Sequence, residues 1–236
     1  MVKGIFGKVL ETTEKKDIKK PVNIILLGPP GVGKGTYAMI LSRRYNIPHI
    51  SVGQLFRESI KNNTELGEKV REYVNSGRLV PDEMTIQVVG KRLKKEDCKN
   101  GFIFDDYPRT ITQVKALKKL KKIDIVFNLI ASDEVIADRL SGRRTCKKCG
   151  AMFNIKNVPP EVEGICDVCG GELYQRKDET PEVIKKRVKV FEQETKPLIG
   201  YYKKEGLLTD IDANPPFEES YKVILEFDEK LAQLKP

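Results

Sequence analysis

Apolar residues along the chain fall into two kinds of run. Short unbroken runs occur at residues 22–27, 47–51, 101–104, 123–130 and 207–211. They do not alternate strictly, which suits strands covered on both faces of a parallel sheet. Between them, apolar positions recur at helical spacing over residues 34–45, 52–76, 82–96, 112–120, 133–140 and 181–205, with Gly206 as a natural stop, and a final helix is expected over 216–234. Strands alternating with helices predict an α/β fold, a doubly wound parallel sheet of about five strands. Two stretches break the rhythm. Residues 51–80 carry polar helices and read as an inserted helical lobe, and residues 143–177 carry four cysteines and read as a small inserted subdomain. The core is then expected from 21–50, 81–139 and 178–236, behind an N-terminal extension over 1–20.

With 236 residues, the chain fits one large domain or one domain with small insertions. Its 39% hydrophobic share still supplies a real core, and its net charge of +9 fits a polyanionic partner. The lysine clusters near residues 15–20, 94–99 and 115–122 read as solvated surface, not as a nucleic-acid footprint. No apolar run approaches the ~20 residues of a membrane helix, so no membrane partner is expected. The first twenty residues lack a signal-peptide core, and Glu11, Glu14 and Asp17 without any arginine argue against a mitochondrial transit peptide, so a cytoplasmic protein is expected. Ile5, Phe6, Val9 and Leu10 suit either a short amphipathic helix or disorder.

Chemistry concentrates at Gly28-Pro29-Pro30-Gly31-Val32-Gly33-Lys34-Gly35-Thr36. A buried strand precedes this segment and a helix follows it. The glycines let the backbone curl so that successive N–H groups face one anion, and the helix end adds about half a positive charge. Lys34 supplies a mobile full charge for the outer phosphates. This P-loop cradle implies a nucleoside triphosphate. Gly35 stands where the generic motif has Ser or Thr, and Thr36 comes one residue late.

Cys146-Lys147-Lys148-Cys149 and Cys166-Asp167-Val168-Cys169 form two C-x2-C knuckles separated by 16 residues, and a glycine follows each. Four thiolates at this spacing suit a closed structural zinc site; two disulfides or an iron–sulfur site are the alternatives, and a cytosolic chain disfavours the disulfides. Cys98 reads as an ordinary helix-end residue, and His49, the sole histidine, as structural. The apolar strand 101–104 runs into Asp105 and Asp106. In phosphate-cradle proteins an aspartate so placed holds Mg²⁺, directly or through water, and Asp105 is the candidate. Arg109 follows at the end of the strand that opens on the ligand crevice of such sheets. Arg139, Arg143 and Arg144 precede the cysteine segment, and Arg176 and Arg187 follow it. They are candidate phosphate clamps. One cradle and this many arginines suggest two phosphorylated ligands.

The cradle, together with Gly77-Arg78-Leu79-Val80-Pro81-Asp82-Glu83, Asp105-Asp106-Tyr107-Pro108-Arg109-Thr110, Gly142-Arg143-Arg144, Tyr174-Gln175-Arg176-Lys177-Asp178 and Pro197-Leu198-Ile199-Gly200-Tyr201-Tyr202, resembles adenylate kinase from about Pro21 to the C-terminus. Gly-Thr after the lysine is typical of that family, and the cysteine segment resembles the zinc-bearing lid of its long, bacterial-type members. The resemblance implies ATP + AMP ⇌ 2 ADP with Mg²⁺, a monophosphate-binding lobe at 51–80, a lid at 140–177, and a monomer. It implies that Lys34 holds the transferring phosphoryl group, with Arg109, Arg143, Arg176 and Arg187 as the other catalytic cations. ATP is implied to lie against Gly31, Val32, Gly33, Lys34, Gly35, Thr36, Arg139, Arg143, Met152, Phe153 and Pro215. AMP is implied to lie against Val52, Arg57, Arg78, Leu79, Val80, Asp106, Arg109, Gln113, Arg176 and Arg187.

Two departures fall on the acceptor side. Ser51-Val52-Gly53-Gln54 stands where the family usually reads Ser-Thr-Gly-Asp, and Asp106 stands where it usually has glycine. They raise a kinase for another monophosphate, such as UMP or CMP, as the alternative. A zinc-ribbon nucleic-acid-binding ATPase and a catalytically silent homologue are more remote.

Overall fold

A computed structural model describes residues 15, 16 and 20–234. The amphipathic stretch expected at Ile5–Leu10 lies outside them. The central sheet holds β1 (Val22–Leu27), β2 (His49–Ser51), β3 (Gly101–Asp105), β4 (Ile125–Ile130) and β8 (Leu208–Asp212) in the order β2-β3-β1-β4-β8. Every neighbouring pair is parallel. The order reverses direction about β1, and that switch places a crevice beyond the carboxyl ends of the strands. Residues in β1 alternate between two cores. Ile25 and Leu27 join Phe102, Phe104 and Val126 on one face. Ile24 and Leu26 join Ile103, Phe127, Leu129 and Phe227 on the other. Both faces are covered, so the strand sequences lack polar alternation.

The helices are α1 (Lys34–Tyr45), α2 (Val52–Lys61), α3 (Glu65–Ser76), α4 (Asp82–Leu93), α5 (Ile111–Leu120), α6 (Asp133–Ser141), α7 (Pro181–Val190), α8 (Pro197–Lys204) and α9 (Ser220–Ala232). A second, antiparallel sheet inserts between α6 and α7, with β5 (Arg143–Cys146) flanked by β6 (Met152–Asn154) and β7 (Leu173–Tyr174).

Three expected elements differ in detail. The helix expected over 52–76 is two helices, because Asn63 takes a left-handed turn at φ 49° and the Thr64 hydroxyl caps α3 by accepting from Gly67 N at 3.1 Å. The helix expected over 181–205 is broken by a π-helical turn at Phe191–Thr195, where Lys196 N donates to Phe191 O at 2.8 Å. Pro197 then opens α8, having no N–H to continue the ladder. The last helix starts at Ser220, after a 3-10 turn over Phe217–Glu219.

Candidate phosphoryl-transfer site

Residues 28–33 form the cradle between β1 and α1. Gly28, Gly31 and Gly33 have φ of 137°, 91° and 110°, values side-chain-bearing residues avoid. A Cβ at Gly28 would stand 2.6 Å from Leu129 O, so the turn also requires glycine for closeness. The departure at Gly35 has a local reason as well: a Cβ there would meet Met152 Cε at 2.2 Å and Asp105 Oδ2 at 3.0 Å. Lys34 Nζ folds back over the loop, donating to Gly28 O at 2.8 Å and Pro29 O at 3.0 Å. Burial pushes its pKa down, and Asp106 and Asp105 oppose that.

The facing wall is the carboxyl end of β3. Register pairs Ser51 with Asp105, bringing the end of β2 beside it. Asp105 is buried, its Oδ1 without a hydrogen-bond partner, and its Oδ2 is 3.4 Å from His49 Nε2. His49, structural by sequence, thus sits on the cleft wall. Asp106 has φ 66°, and its carboxylate reaches Lys34 Nζ at 3.6 Å and Arg109 Nη2 at 3.0 Å. Burial pushes the Asp106 carboxyl up, but Arg109, Lys34, Arg187 and Arg176 outweigh it and hold the group well below the usual carboxylate range. Gln113 is buried; its Oε1 accepts from Arg109 N at 2.8 Å, and its Nε2 donates to Asp82 Oδ1 at 2.7 Å.

Arginines crowd the other side. Arg176 pairs with Asp178, Arg143 with Glu179, and Arg187 Nη1 stands 3.1 Å from Asp178 Oδ2. Arg57 is pushed down to about 10 and Arg187 to about 9, in each case by burial first and then by the Arg176 charge. The Arg143 Nη2 atom is buried without a hydrogen-bond acceptor, and the buried Arg187 Nη1 has its ion pair with Asp178 but no aligned hydrogen bond. Six cations, Lys34, Arg57, Arg109, Arg143, Arg176 and Arg187, therefore face the four carboxylates Asp105, Asp106, Asp178 and Glu179. Excess buried cations favour an anion in the space between them.

That space is a cleft of about 1360 Å³ between the cradle, α2, α3 and the small sheet. Gly31, Gly33, Lys34, Gly35, Thr36, Arg57, Asp105, Asp106, Arg139, Arg143, Met152, Phe153, Arg176 and Arg187 all line it. Arg109 lines a small recess beside it with Lys34, Asp106 and Arg187. Arg139 ties the cradle to the loop after β8, donating to Val32 O and Pro215 O at 3.0 Å each. Val32, Val52, Val80 and Gln113 are buried outside the cleft lining, Leu79 lies outside it too, and Arg78 pairs with Glu72 over the Tyr73 ring. The sequence reading missed Asp178 and Glu179 as partners of the arginines, and Phe217 on the cleft wall. The charge spacing from Arg176 to Glu179 was the available signal for the carboxylates.

At the tip of the small sheet, the sulfurs of Cys146, Cys149, Cys166 and Cys169 all lie within 4.8 Å of one another. Cys146 and Cys169 are 3.5 Å apart and Cys149 and Cys166 are 3.6 Å apart, too far for disulfides. A tetrahedron with Zn–S near 2.3 Å has edges of roughly 3.8 Å, so the donor set fits zinc. Lys148 N, 3.3 Å from Cys146 Sγ, supplies the knuckle N–H that such thiolates accept.

Comparison with known proteins adds an independent line. The family model described as adenylate kinase matches residues 26–207. An adenylate kinase of Caldicellulosiruptor bescii is 52% identical over 210 residues, 87% of this chain and 98% of the relative. One from Caldanaerobacter subterraneus is 47% identical over 208 residues, 86% of this chain and 94% of the relative. One from Archaeoglobus fulgidus is 46% identical over 215 residues, 89% of this chain and 99% of the relative. Similarity at this level over most of the chain and a cradle facing convergent arginines lead to one conclusion: the chain belongs to the adenylate kinase family.

Proposed function

We propose that the chain transfers the terminal phosphoryl group of ATP to AMP, reversibly, giving two ADP. The observation that carries this reading is the convergence of six cations on one cleft floored by a P-loop. The names of the relatives support it and do not favour the UMP, CMP or nucleic-acid alternatives.

The reaction needs no general base of unusual pKa, because the acceptor phosphate is already an anionic nucleophile. The barrier lies in bringing two polyanions into line, and positioned cations offset it. In this reading the backbone of Gly31–Thr36 holds the ATP phosphates and Lys34 bridges to the transferring group. Arg57 and Arg109 hold the acceptor phosphate, and Arg143, Arg176 and Arg187 neutralise the charge that spreads between the two. Arg139, anchored on Val32 and Pro215, packs on the ATP base beside Met152 and Phe153. Asp106 lines the cleft on the acceptor side, and Val52, Arg78, Leu79, Val80 and Gln113 stand outside that lining as its assigned support. Asp105, whose Oδ1 is buried without a partner, would hold Mg²⁺ through water, and that ion supplies further neutralisation of phosphate oxygens.

We assign residues 51–80 to the acceptor lobe and 140–177 to a lid that excludes water when closed. Contacts between the two support this: Lys61 Nζ donates to Lys147 O at 3.5 Å, and Gln54 packs against Gly150. The four thiols suit a structural zinc with no open position, stiffening an insertion too short for its own core. Unpaired thiols in that arrangement suit a reducing, cytoplasmic compartment. Since one chain supplies every cation of the cluster, a monomer suffices. The test is turnover of ATP with AMP, UMP, CMP, GMP and dTMP. AMP should be strongly preferred; fast UMP or CMP turnover beside negligible AMP turnover would overturn the assignment.

A further inference from the structure

Asp106 places a protein anion between Lys34 and Arg109, two cations of the phosphate cluster. Its carboxylate lies 3.0 Å from Arg109 Nη2 and 3.6 Å from Lys34 Nζ, and its own carbonyl accepts from Arg109 Nε at 3.1 Å. Lys34 Nζ donates to Gly28 O and Pro29 O, and the Asp106 carboxylate adds an ion pair at 3.6 Å. The carboxylate also lines both the cleft and the recess beside it, so it stands in the path of an incoming phosphate. Its backbone, at φ 66°, suits glycine best and admits aspartate and asparagine at modest strain.

We propose that Asp106 is an affinity-determining internal anion that stands in for phosphate on Lys34 and Arg109 in the ligand-free site. An arriving monophosphate must displace the carboxylate from Arg109 and then bind beside its negative charge. The charge thus raises the acceptor concentration needed for half-saturation while keeping the empty cluster paired. The proposal rests on the assignment of Arg109 to the acceptor phosphate.

Asp106→Asn isolates the charge, because asparagine has the same shape and equal tolerance of the left-handed backbone. Asp106→Gly removes the side chain at a φ that glycine prefers, so the pair of variants guards against a folding artefact. Both should lower KM for AMP about tenfold, equivalent to about 1.4 kcal/mol. Inorganic phosphate, titrated calorimetrically into the nucleotide-free protein, should bind correspondingly tighter. Adenosine, which has no phosphate, should bind wild type and Asp106→Asn equally. An unchanged or raised KM together with unchanged phosphate affinity would overturn the proposal, as would an equal gain in adenosine affinity, which would indicate a reshaped pocket. The phosphate titration also separates the two readings. If wild type fails to turn over AMP but Asp106→Asn still binds phosphate more tightly, the acceptor assignment fails and the role of Asp106 stands.

Discussion

Replacing Asp228 with alanine tests how the cradle helix is anchored to the rest of the molecule. Asp228, on α9, accepts from Arg44 Nε at 2.8 Å, also pairs with Arg44 Nη2 and the Tyr45 hydroxyl, and accepts from Lys16 Nζ at 2.8 Å. The Arg44 and Asp228 side chains are 7% and 5% exposed, whereas Lys16 is 47% exposed. Truncation would take from the buried Arg44 guanidinium the carboxylate that accepts from its Nε and pairs with its Nη2, at a cost of about 3 kcal/mol. The Lys16 contact adds little by comparison, under ~1 kcal/mol. In a chain of this size that loss lowers Tm by roughly 10 °C. The cluster lies at the far end of α1 from the cradle, so kcat and KM should be unchanged at a temperature where the variant is folded. Thermal unfolding followed by circular dichroism reads the effect, and a double-mutant cycle with Arg44→Met isolates the pair. The apolar pair Arg44→Met with Asp228→Leu should recover most of the loss, because no lone charge remains. A single variant losing less than ~1 kcal/mol, or a double variant no better than the single, would refute the reasoning. The pH dependence has a definite sign. Burial pushes the Asp228 carboxyl up, and Arg44, Lys16 and Tyr45 outweigh it, so the folded pKa is depressed. Its stabilisation is present above the unfolded value near 3.9 and is lost as pH falls below that toward the folded value. Asp228→Asn should therefore flatten the acid limb of the stability profile.

Two further outcomes are expected. Lys34→Met should cut kcat by about 10²–10³-fold with a smaller change in KM for AMP, because the positive charge acts mainly on the transferring group; steady-state kinetics measure the split. Elemental analysis should find one zinc per chain, and chelation should lower the unfolding temperature and free four thiols to titration while the parallel-sheet core keeps its circular dichroism. Protein without metal and with fully titratable thiols as purified would refute the zinc assignment.

Much of the site could be read from local sequence, for a physical reason. A cradle needs a buried strand, glycines at positive φ and a helix start, all within one short segment, so residues 22–45 carry their own evidence. The knuckles are equally local, since each C-x2-C turn presents its two sulfurs together. The broken helices were less legible, although Asn63 and Thr64 carried a turn and a cap signal inside an otherwise helical pattern. Periodicity reports which face of a helix is apolar and not where the axis bends.

The α/β order, the triphosphate cradle, the four-thiolate set and the roster of candidate arginines were all legible in the order of residues along the chain. The pairing of those arginines came from the folded arrangement. Arg176 and Arg187 share Asp178, Arg143 takes Glu179, and Asp106 lies between Lys34 and Arg109. Such partners depend on how β1 and β3 lie side by side and how the small sheet folds over them. Charge interactions act across space at a few ångströms, and the spacing of residues along the chain does not encode that distance until the crossovers have set it.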